Sequence, residues 1–381
     1  MKRLLILLSI FFTASFVFAG GAQETQTSSA SVKVHSDSNS SDNPDWLVEN
    51  TEDHIIVLDN RGNEVTIKKP VKKIISLGMG ELYSCARAID AKELIISVNS
   101  YVSRNLVFFP DFANLPVISD SQDGVDQEKI LEMDPDVIFM KNEFYGQIND
   151  TIRDSYPTVY IAFDKPEDIE MFGAIVGKED EAAEYFEWMN GYLNMIDSRI
   201  SQLAEEDYQD VFVFYGGEYG MTPPPPYGTF GKANLRNEII RRAGGINIAE
   251  NLDGDWITVD PEWLIEKDPE MIVREFYITT SSPAMGYSVS NHSDAATMLQ
   301  TLIKQPAIEA TTAVKTGNVS MIFGDIFEDS WFVGVAYLAK LFHPDLFEDL
   351  DPVKMHQEFL NHFQGLDYDM NTQGVFVESL K

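Results

Sequence analysis

The chain has 381 residues, with 28 basic against 61 acidic side chains and a net charge of −33. At roughly 150 residues per domain, that length fits two domains or one fold of two lobes. Hydrophobic residues at 44% exclude a wholly disordered chain. The deficit of Lys and Arg excludes a nucleic-acid binder, which needs clustered cations to neutralise phosphates.

Residues 1–19 read as a secretory signal peptide. Lys2 and Arg3 precede an almost wholly apolar run from Leu4 to Phe18, and small Ala19 and Gly20 follow. The run is about 15 residues, short of the ~20 that span a bilayer, so cleavage after Ala19 and export are expected. No cysteine stands at the cleavage point, so no lipid anchor is expected there. Residues 20–52 form a leader whose Ser, Thr, Asn, Asp and Gln cannot offset the entropy of ordering. Folding is expected to start near Asp53.

Residues 53–178 read as an α/β lobe. Lys73–Leu77 is a buried strand that runs into Gly78-Met-Gly80 and a helix from Glu81 to Ile89. Cys85 on that helix is the single cysteine, so no internal disulfide forms, and its apolar neighbours mark an inert thiol. Glu128-Lys-Ile-Leu-Glu-Met-Asp-Pro-Asp-Val-Ile138 then returns 134 residues later as Glu262-Trp-Leu-Ile-Glu-Lys-Asp-Pro-Glu-Met-Ile272. Each copy reads as a short amphipathic helix stopped by Asp-Pro and followed by a buried strand, the half-unit of a parallel sheet. Both copies run on to an aromatic pair, Phe144-Tyr145 and Phe276-Tyr277.

Residues 179–206 carry Ala182, Phe186, Met189, Leu193, Ile196, Ile200 and Leu203 in alternating steps of four and three, one apolar stripe along a helix. This predicts a single long helix linking the first lobe to a second at 207–381. The fold class is therefore α/β: two Rossmann-like lobes with parallel sheets, joined by one long helix, with a ligand cleft between them.

Enzyme signatures are absent: there is no Gly-x-Ser-x-Gly elbow, Walker loop or His-Glu-x-x-His. Gly78-Met-Gly80 lacks the third glycine of a dinucleotide loop. The six histidines are scattered, so neither an enzyme, a bound cofactor nor a bare-metal site is expected. Ligands of open α/β sheets bind beyond the carboxyl ends of the strands. Those ends gather Met79, Tyr101, Arg104, Lys141, Phe144 and Tyr145 in the first half. In the second they gather Tyr219, Tyr227, Phe230, Arg274, Phe276, Tyr277, Asp325 and Trp331. Aromatic and cationic rims suit a bulky ligand. Arg274, able to grip an oxyanion in bidentate fashion, is the expected anchor of an anionic chelate, whereas a neutral macrocycle such as a corrinoid would depend on the aromatic area of Tyr219, Tyr227 and Trp331. A cleft-facing Arg274 would matter little for stability.

From about Ile55 onward the sequence resembles the periplasmic substrate-binding proteins of ABC importers for iron–siderophore complexes, haem and cobalamin. The resemblance rests on Asp59–Ile67, Pro70–Leu77, the Glu128–Ile138 motif, Ala243–Asn247, Glu262–Ile272, Ala313–Val319 and Tyr337–Phe347 in this order. It implies a periplasmic monomer that delivers a cargo, an Fe(III) chelate, haem or a corrinoid, to an ABC permease at the inner membrane. A sensor or adhesin using the same fold is the alternative. In that family one surface glutamate per lobe meets the permease; by motif Glu262 takes this role in the second lobe, and Glu81 is the counterpart expected in the first.

Overall fold

The structure, a computed structural model, describes residues 44–78, 80–120, 124–163, 165–215, 225–277 and 284–381. The signal peptide, most of the leader, Met79 and Tyr219 lie outside the described residues, as does the side chain of Tyr145. Order begins earlier than Asp53. Strand Leu47–Asn50 pairs antiparallel with His54–Leu58, which pairs with Glu64–Lys68. Trp46 and Leu47 pack on the main core. The Asp59 carboxylate tightens the hairpin by accepting the backbone N–H groups of Arg61 (2.9 Å) and Asn63 (2.8 Å).

In the first lobe Ile74–Leu77, Val137–Met140 and Thr158–Tyr160 run parallel. A second small sheet, Val98–Asn99 with Val117–Asp120 and Gly124–Val125, lies alongside and is joined by a bridge from Ile74 to Ile95. The second lobe is built on a seven-stranded sheet. Its centre is parallel, with Gln209–Tyr215 beside Met271–Phe276 and Met271–Phe276 beside Val319–Phe323. Tyr227–Phe230, Trp256–Val259 and Val377–Ser379 flank it antiparallel.

The internal repeat is structural. Helices Gln127–Met133 and Pro261–Lys267 are each seven residues long and end on an aspartate in the left-handed region, Asp134 (φ 49°) and Asp268 (φ 41°). Aspartate tolerates that conformation, and the following proline cannot continue the helix. The strands pair equivalently: Ile75 faces Ile138 in one lobe as Phe212 faces Ile272 in the other.

Helix Glu179–Ile200 links the lobes; its 22 residues span about 33 Å at 1.5 Å per residue. It ends earlier than 206, where a turn and a short 3₁₀ segment at Glu205–Asp207 take over. The buried stripe is Ala182, Tyr185, Met189, Leu193, Ile196 and Ile200. Tyr185 replaces the expected Phe186, because its ring joins a cluster with Trp188 (6.3 Å), Phe332 (6.1 Å) and Phe363 (4.9 Å). The helix packs on Glu81–Ala88 of the first lobe and on Arg236–Arg242 and Trp331–Phe342 of the second. No described helix is long and apolar enough to cross a membrane.

Candidate functional site: a cleft between the lobes

A cleft of about 240 Å³ opens where the carboxyl ends of the two sheets face each other. Its first-lobe wall is Glu81, Lys141, Ala162 and Phe163. Its second-lobe wall runs through helix Arg236–Arg242 to Trp256, Phe327, Glu328 and Trp331. Lys141 directly follows strand Val137–Met140, and Glu81 opens the helix after Ile74–Leu77, so strand ends set both, as ligand sites in open sheets require.

Ion pairs organise the charged lining. Lys141 Nζ donates to Glu81 Oε1 at 2.6 Å. Burial pushes the Glu81 carboxyl up to about 7, although Lys141 pulls the other way. Arg236 is 7% exposed, with Nε 3.1 Å from Glu275 Oε1 and a terminal nitrogen 3.2 Å from Glu328 Oε1. Burial alone would lower the Arg236 pKa, but Glu275, Tyr277 and Glu328 outweigh it and the guanidinium is held more firmly charged. Tyr277 donates its hydroxyl to Glu275 Oε2 at 2.6 Å and receives Arg236 at 3.2 Å. Arg242 grips Asp197 of the linking helix at 2.8 and 2.6 Å and lies 5.6 Å from the centre of the Trp331 ring.

The floor of the cleft ties the lobes together. Trp331 Nε1 donates to the Phe163 carbonyl at 2.7 Å, Tyr101 Oη to Asp329 Oδ1 at 2.9 Å, and Asn105 Nδ2 to Asp325 Oδ2 at 3.3 Å. Desolvation raises the Asp329 carboxyl well above its usual range, with Asp325 adding repulsion. Gly80 is required here: a Cβ at that position would lie 1.8 Å from Asp329 Oδ1.

Of the residues named from sequence, Lys141 and Trp331 line the cleft. Tyr277 and Tyr101 stand one contact behind it, against Arg236 and Asp329. Asp325 is buried beneath, at 2% exposure. Five are buried away from it. Phe144 belongs to a small apolar core with Ile75 and Ile138. Tyr227, Phe230 and Phe276 are buried, Tyr227 against Phe212 and Phe214 and Phe230 beneath the Arg236 guanidinium at 5.6 Å.

Arg274 is the fifth and the main correction. It is 1% exposed within its strand, 5.7 Å from the Phe276 ring, and burial lowers its pKa to about 10. Side chains alternate along a strand, so Glu275 and Tyr277 point to the cleft cluster while Arg274 and Phe276 share the other face. Arg104 is exposed and stands outside the cleft lining.

Glu81 also departs from expectation, because it faces the cleft with its side chain 10% exposed and paired. Glu262 is exposed in the first turn of its helix, and the repeat places Glu128, also exposed, at the equivalent position of the first lobe. Arg236, Arg242, Trp256 and Glu328 were missed. The alternation along Met271–Phe276 could have singled out Glu275, but nothing local marks the other four.

Two α/β lobes on one linking helix, with a polar and aromatic cleft between them, define a solute-binding protein. Residues 97–323 match the periplasmic binding protein family, and the chain belongs to it. Its members are extracytoplasmic partners of ABC permeases that bind small ligands. No curated protein matches the chain. Among solved structures it is similar to the TroA-like periplasmic binding protein FepB from Veillonella parvula, at 21% identity and TM-score 0.73 over 86% of this chain and 99% of that one. It is also similar to the molybdate-bound MolA of Haemophilus influenzae, at 18% identity and TM-score 0.64 over 82% and 99%. A third similar structure is Helicobacter pylori CeuE with Ni(II) bound, at 17% identity and TM-score 0.62 over 82% and 96%.

Proposed function

We propose that the protein captures an iron chelate of siderophore type, or a related metal macrocycle such as haem or a corrinoid, and delivers it to an ABC permease after export through a cleaved signal peptide. The observation that carries this reading is the cleft itself. Trp331 and Trp256 offer stacking area, with Trp256 54% exposed, and large rings stack well on such surfaces. Among the described residues no cluster of His, Cys, Asp and Glu could hold a metal ion, which favours a metal that arrives with its own ligands. The similarity to CeuE with Ni(II) bound agrees with a metal-related cargo.

Delivery would use the symmetric pair Glu128 and Glu262 in place of Glu81. Both are exposed at the start of equivalent helices, so each lobe presents one carboxylate. Surface charges of this kind contribute little to stability and much to docking register. Replacing both by Ala is expected to abolish uptake of radiolabelled ferric chelate in cells while leaving the affinity of the purified protein within about twofold. Normal uptake by the double variant would overturn the docking assignment. Chelate binding without any uptake by the wild type would favour a sensor.

A further inference from the structure

The charge of the cleft narrows the cargo. Its three lining cations are each engaged: Lys141 with Glu81, Arg236 with Glu275 and Glu328, Arg242 with Asp197. Glu238, on the exposed side of helix Arg236–Arg242, lines the same cleft and makes no ion pair among the described residues. Lys165 is exposed and lines an adjoining small cavity that Glu81 and Asp329 also line.

An anionic ligand would therefore have to compete with the carboxylate already holding each lining cation, the buried Arg236–Glu275 pair among them, while lying near the unpaired Glu238. Breaking such a pair strands a charge in a poorly solvated place. We propose, resting on the chelate reading above, that the cleft selects a chelate of zero or positive net charge. Its apolar face would lie against Trp256 and Trp331, and its ammonium or N–H groups would point toward Glu238. This reverses the anion-anchoring role that Arg274 suggests in the sequence.

The test is calorimetric titration of the protein with three ferric chelates of different charge: ferrioxamine B (singly positive), ferrichrome (neutral) and ferric enterobactin (triply negative). Ferrioxamine B and ferrichrome are expected to bind at least about tenfold more tightly than ferric enterobactin. Glu238→Gln, at an exposed position, should weaken ferrioxamine B about fivefold and ferrichrome less than about twofold. Ferric enterobactin binding as tightly as the others would overturn the charge selection and leave the chelate reading standing. An unchanged ferrioxamine B affinity in Glu238→Gln would overturn the role of that carboxylate. If none of the three chelates binds, the chelate reading fails, and this inference fails with it.

Discussion

His356 sits fully buried between two tyrosines, its Nε2 3.2 Å from the Tyr287 hydroxyl and its Nδ1 3.4 Å from that of Tyr337. Burial lowers its pKa from 6.5 to about 3. Between those values the unfolded chain binds a proton that the folded one refuses, so this residue's contribution is complete above 6.5 and lost as pH falls through the window. At about pH 4 the wild type should therefore lose roughly 3 kcal/mol through this group relative to pH 7. Urea unfolding of His356→Gln at the two pH values should show a correspondingly smaller pH dependence. Arg274 carries a second prediction at this scale. As a large side chain sealed in the central sheet, its replacement by Ala should destabilise the protein by about 3 kcal/mol. Affinity of the surviving fold for any chelate should stay within about twofold, checked by thermal melts and titration of the same sample. A stable variant with lost binding would return Arg274 to the cleft.

The linking helix shows how far the order of residues carries. Its apolar period predicts one long helix, and Glu179–Ile200 is one. A stripe repeated every three or four residues leaves the choice between adjacent Tyr185 and Phe186 open, and the choice falls to Tyr185 through rings more than a hundred residues away, Phe332 and Phe363. Leu193→Ala is expected to lower stability by about 3 kcal/mol and Phe186→Ala by less than about 1.5, since only Leu193 is fully enclosed. Equal losses in denaturant unfolding would contradict the observed register. The helix–strand repeat was legible for a similar reason: Asp-Pro stops and continuous apolar strands are local signals. Arg274 was misread because a strand buried on both faces gives no local clue to which face meets a ligand. Lys141 and Trp331 were legible as polar or aromatic residues at strand ends, whereas Arg236 and Arg242 become cleft residues only through non-local partners, Glu275 and Asp197.

Across the whole molecule, the two lobes behave as one body. Tyr101–Asp329, Asn105–Asp325 and Trp331–Phe163 cross between them, each pair more than 160 residues apart, and one apolar core runs through both. A stiff helix and these ties leave room for modest closure only. That arrangement suits the proposed docking role, in which a permease would read a fixed spacing between Glu128 and Glu262. The proposed function depends above all on the cleft being the ligand site. Calorimetric titration of the wild type and of Trp331→Ala with ferrichrome, each first shown to be folded by its melting curve, tests that point. Saturable binding by the wild type and a loss of about tenfold or more in the variant, which gives up the stacking surface, are expected; equal affinity in the two proteins would show that the ligand does not bind in the cleft.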